Sequence, residues 1–103
     1  MTIVEAKALI HKEYSSDNGL DTLFRMSADV EEERIAEFIT ALACTEQYYA
    51  NKKTIEKKLV YQLFSMHQTL RASSGHWKVS RPKGLDTDTC FKIYDGIRSI
   101  FSK

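Results

Sequence analysis

The chain reads as an all-α protein, and three observations point there. Apolar residues recur at i, i+3, i+4 and i+7 through most of its length. Four Gly and one Pro in 103 residues leave too few tight turns for a β-sandwich or barrel. The polar breaks between apolar stripes are short, except for one basic stretch late in the chain. Together they predict a compact single-domain bundle of about five helices over residues 1–103. It has a central antiparallel helical hairpin and a long basic loop before the last helix.

The first helix begins at a capping box, Thr2-Ile3-Val4-Glu5, in which Thr2 and Glu5 satisfy orphan N–H groups. Ile3, Ala6, Ile10 and Tyr14 follow at helical spacing, and Ser15-Ser16-Asp17-Asn18-Gly19 stops it. Leu20 to Met26 is a short amphipathic turn, with Asp21 as its expected cap and Leu23 and Phe24 facing inward. The third helix is expected to take Ser27 or Asp29 as its cap and to run to Ala50. Glu31, Glu32 and Glu33 fill its first turn, where negative charge suits the helix dipole. Ile35, Phe38, Ile39, Leu42 and Tyr49 are its apolar stripe.

Asn51-Lys52-Lys53-Thr54 breaks the pattern, which restarts with Ile55, Leu59, Leu63, Met66 and Leu70, flanked by Val60, Phe64 and His67. These two long helices form the expected hairpin. Ser73 to Leu85 holds two of the four Gly, the only Pro and the only Trp. It also carries Lys78, Arg81 and Lys83 with no acid. It is expected to be a loop, with His76-Trp77-Lys78-Val79 as a short extended piece at most. The last helix starts at Asp86 or Thr87 and buries Cys90, Phe91, Tyr94, Ile97, Ile100 and Phe101.

Charge is sorted along the chain. Up to Ala50 there are ten Asp/Glu against four Lys/Arg; from Asn51 onward there are four against eleven. A net charge of +1 hides this division, and such asymmetry suggests a charged partner. Within the hairpin the acidic helix start and the lysines at 52, 53, 57 and 58 should lie on the order of 30 Å apart. That is several Debye lengths, so they cannot neutralise each other.

No residue set specifies a reaction. The three His are scattered, and no Glu has a His three positions on, as a bundle di-metal site requires. No phosphate loop, nucleophile elbow or zinc-protease pattern is present. The reading is therefore of a protein that is not an enzyme and has no catalytic residues, no cofactor and no metal. Cys44 and Cys90 fall on apolar stripes and are expected to be two buried, reduced thiols. Met1-Thr2-Ile3-Val4-Glu5 lacks the basic and apolar segments of a secretory signal, and no apolar run reaches the roughly 20 residues of a membrane span. A cytoplasmic setting is the expectation.

What remains is binding. Asp29, Glu31, Glu32, Glu33 and Glu37 form the candidate acidic surface for a protein partner, such as a basic toxin or nuclease. Trp77, Lys78, Arg81 and Lys83 are the second set of candidate contacts, with Trp77 expected to anchor its loop on the core. The most specific reading is a toxin-immunity-type inhibitor that covers a partner enzyme. The alternative is a small nucleic-acid-associated protein using the basic half, although a pI near 7.8 is low for one. A third reading is a helical subunit or chaperone whose partner covers an exposed apolar strip, with Tyr48, Tyr49 and Tyr61 as candidate anchors.

Overall fold

Thr2 Oγ1 accepts from Glu5 N at 3.1 Å while Glu5 Oε1 accepts from Thr2 N at 2.8 Å, so the capping box forms as the sequence predicts. It opens α1, Ile3–Ser15, the first helix of a computed structural model that describes residues 1–78 and 80–102. Three further long helices follow: α3 (Glu32–Tyr49), α4 (Lys57–Ser74) and α5 (Thr87–Phe101). A six-residue helix, α2 (Leu20–Arg25), packs against α1 and α4. No strand occurs among the described residues. The extended piece expected over His76-Trp77-Lys78-Val79 includes Val79, which lies outside them. No helix is long and apolar enough to cross a membrane among the described residues.

The four long helices form a ring in the order α1, α3, α5, α4. Each packs on its two neighbours, and the α3–α4 and α1–α5 pairs stand diagonally. Side-chain meetings give the directions. Glu13 meets Arg34, and Met1 O meets Cys44, so α1 and α3 are antiparallel. Lys7 reaches Glu56 and His11 reaches Gln62, so α1 and α4 are parallel. Phe64 meets Phe101 and Ser74 meets Tyr94, so α4 and α5 are antiparallel.

This corrects the expected hairpin. α3 and α4 run in opposite directions but share no close backbone contact. The reason lies in the connection and in α5. Residues 50–56 can span roughly 23 Å when extended, enough for the diagonal of a ring whose neighbouring axes stand ~8–10 Å apart. Gly96 of α5 also comes so close to α3 that a Cβ there would sit 2.9 Å from Leu42 Cδ1. That close approach gives α5 the place beside α3.

Phe24, Phe38, Leu42, Leu63, Met66, Leu70 and Ile93 are fully buried in the centre. In α5 the buried row is Cys90, Ile93, Ile97 and Ile100. Phe91, expected in the core, is 58% exposed, while Tyr94 and Phe101 are partly buried against the core. Cys44 is another correction, being only partly buried, with its Sγ 3.4 Å from Met1 O.

Candidate functional site

Two of the expected helix caps are used elsewhere. Ser27 stands in the left-handed region at φ 54° and its Oγ accepts from Trp77 Nε1 at 2.8 Å. Asp29 Oδ1 accepts from Lys83 N at 2.8 Å, and Val30 N donates to Lys83 O at 2.9 Å. Neither residue caps α3, whose N-cap position is Glu31 with no side-chain bond. Gly84 completes the junction at φ +85°, where a Cβ would lie only 2.1 Å from Val30 O. Asp21, the expected cap of α2, is buried and pairs with Arg25 at 2.7 Å. Glu13 takes over instead, accepting from Leu20 N at 3.2 Å.

The basic loop is thus fastened onto the segment that leads into the acidic helix. Trp77 is buried, as the anchoring reading expects. Arg81 lies with its guanidinium 5.5 Å from the indole centroid and donates to Leu85 O at 2.8 Å. Asp29, Trp77 and Arg81 therefore hold the loop in place. Of the candidate contacts only Trp77 is buried; Asp29, Arg81, Lys78, Lys83, Glu31, Glu32, Glu33 and Glu37 are all exposed at this end of the bundle. The charge halves are consequently less separate than the sequence implies, because the basic loop sits beside the acidic helix start. The lysines at 52, 53, 57 and 58 lie at the far end of α3, about 27 Å along an 18-residue helix.

Arg34 shapes the acidic end. It is the only Lys or Arg within α3, and it turns away from its own glutamates. Its Nη2 donates to Glu13 Oε1 at 2.6 Å and to Asn18 O at 3.1 Å. Among the described residues, Glu31, Glu32, Glu33 and Glu37 form no ion pair. Glu33 and Glu37 stand one helical turn apart, where like charges disfavour the helix by about 0.2–0.5 kcal/mol.

At the other end, Lys7 pairs with Glu56, which also accepts from Tyr49 OH at 3.3 Å. The Lys7 bond holds the Glu56 carboxyl below its ordinary range. Tyr49 is buried there, which removes it from the proposed tyrosine anchors, whereas Tyr48 and Tyr61 are exposed. Lys52 lies 4.5 Å from the Tyr48 ring centroid.

One exposed surface falls on residues that the sequence reading assigns to apolar stripes and their flank. α4 and α5 leave a groove between them with Phe64 (55% exposed) at one end and Phe91 at the other. His67 lies midway, its ring 5.0 Å from that of Tyr94. Burial first, then Arg71 and Arg98, push the His67 imidazole below its ordinary value. The available signal was the width of α5's apolar face: Phe91, Tyr94 and Phe101 add a second row to Cys90, Ile93, Ile97 and Ile100, more than α3 and α4 cover together.

His11 Nδ1 is bonded to Gln62 Nε2 at 2.7 Å, and burial pushes the Cys90 thiol up, away from the thiolate. No group of three or more His, Cys, Asp or Glu is placed to hold a metal among the described residues. No family model, no curated protein and no solved structure matches the chain.

Proposed function

We propose that this chain is a small protein-binding module acting in the cytoplasm, without chemistry of its own. In its most specific form it is an immunity-type inhibitor. It neutralises a basic partner enzyme, such as a nuclease toxin, by covering it with the acidic start of α3.

The observation that carries this reading is the sequestration of Arg34 by Glu13 and Asn18. A lone arginine among Glu31, Glu32, Glu33 and Glu37 would ordinarily blunt their field. Bound to α1 instead, it leaves four carboxylates in water on one helix start, at some cost to the helix. Such a patch raises association rates with a basic partner by roughly 10- to 1000-fold. It also disfavours acidic competitors. Lys78 and Lys83 border the patch and suit an acidic rim on the same partner.

Affinity capture from host lysate, with the unmodified chain and with an E31K/E32K/E33K variant, tests this. The expected result is a basic protein retained by the first and lost by the second. Salt-sensitive, micromolar or tighter binding of RNA or DNA by the unmodified chain would favour the nucleic-acid alternative, carried by Lys52, Lys53, Lys57 and Lys58.

A further inference from the structure

The α4–α5 groove holds two adjoining sockets. One, of ≈ 290 Å³, is walled by Phe64, Ile97 and Phe101. The other, of ≈ 310 Å³, is walled by Arg71, Phe91, Tyr94 and Asp95. His67 and Arg98 border both and divide them. On α4 the lining residues Phe64, His67 and Arg71 follow i, i+3 and i+7 spacing, so the groove runs for about two helical turns, roughly 10 Å. That matches two apolar side chains one turn apart on a third helix laid into the groove.

Charge decides what else that helix carries. Two guanidiniums, Arg71 and Arg98, meet a single carboxylate, Asp95, to which Arg98 already donates at 3.0 Å. Arg71 has no ion pair among the described residues. The groove is cationic at its edges, apolar at its Phe64 end, and mixed at its Phe91 end, where the Phe91 and Tyr94 rings stand among His67, Arg71, Asp95 and Arg98. Exposed aromatics beside arginines are also the composition of interface hot spots.

We propose that this groove receives an amphipathic helix of a protein partner, with two apolar residues one turn apart and Glu or Asp beside them to meet Arg71 and Arg98. A second copy of this chain fits poorly. Two-fold pairing through the groove would bring four guanidiniums together with only two Asp95 carboxylates. The acidic face of α3 offers Glu33, Ala36, Glu37 and Thr40, with nothing larger than an alanine methyl to fill a socket. The proposal does not depend on the acidic end of α3, and its variants lie on different helices.

Two labelled helical peptides of equal length test it, each carrying Leu and Phe one turn apart, one flanked by Glu and one by Lys. Binding is followed by anisotropy and mapped by backbone amide shifts. The Glu peptide is expected to bind about tenfold tighter than the Lys peptide, with shifts confined to residues 64–71 and 91–101. An R71E/R98E variant should invert the preference, and Phe64→Ser should weaken both peptides; these side chains are exposed, so the fold persists. Equal affinity for the two peptides, or binding of neither, overturns the proposal. So does a single-stranded oligouridylate that shifts the same amides more strongly, or a dimer through this face in the absence of peptide.

Discussion

The indole Nε1 of Trp77 donates to the hydroxyl of Ser27 at 2.8 Å, joining segments fifty residues apart in the chain. Through that bond the basic loop is held against the entrance to α3. Trp77→Phe keeps most of the apolar burial and removes the donor. It should cost about 1 kcal/mol, whereas Trp77→Ala should cost ~3–5 kcal/mol. Urea unfolding measures both. The single Trp of the native chain should show a blue-shifted emission maximum that moves to the solvent value on unfolding.

Gly84 makes the same junction possible. At φ +85°, with Val30 O in the place of a Cβ, Gly84→Ala is strained twice over. A loss above about 1 kcal/mol is expected, together with faster proteolysis between Ser73 and Leu85. An unchanged urea midpoint would contradict the close approach.

Glu13 links α1, α2 and α3 from a nearly buried position, receiving Leu20 N and Arg34. Glu13→Ala should destabilise by about 1–3 kcal/mol. That is below the ~3–5 kcal/mol of a fully buried pair, because Arg34 stays a third exposed. The freed arginine can then turn toward Glu31 or Glu37, each three residues away. Capture of the basic partner should therefore weaken as well, a loss that truncation of an apolar core residue would not produce.

His67 predicts a pH dependence with a definite sign. Its folded pKa lies below the unfolded value, through burial, Arg71 and Arg98. The folded state then binds fewer protons. Its stabilising contribution is complete above an unfolded pKa of about 6.5 and is lost as pH falls through that value toward the folded one. Between about pH 8 and pH 5 the native chain should lose more stability than a His67→Gln variant. Parallel urea midpoints across that range would contradict it.

Local devices were legible in the sequence, and distant ones were not. Thr2 with Glu5, and Asp86 with Thr89 N, act across three residues, so their pattern is visible in one turn of chain. Ser27 and Asp29 have the same cap chemistry but are taken by Trp77 and Lys83 from another part of the molecule. No periodicity announces that competition. Phe91 and Ile93 differ for a related reason. Both lie on an apolar face wider than α3 and α4 cover together, and the packing of those two helices leaves Phe91 in water. The acidic cluster was legible as composition. That Arg34 leaves it for Glu13 depends on α1 lying antiparallel to α3, which spacing alone does not encode.

Charge reversal at the start of α3 bears most directly on the acidic end as the working surface. The association rate of the captured partner is to be measured for the unmodified chain and for E31K/E32K/E33K, from about 50 mM to about 500 mM salt. Each lost dipole interaction costs only about 0.3–1 kcal/mol, so helix content by circular dichroism should hold. The predicted result is a rate that falls roughly 10- to 1000-fold on reversal, and a salt dependence that disappears or changes sign in the variant. Equal rates and equal salt slopes for the two chains would contradict the assignment.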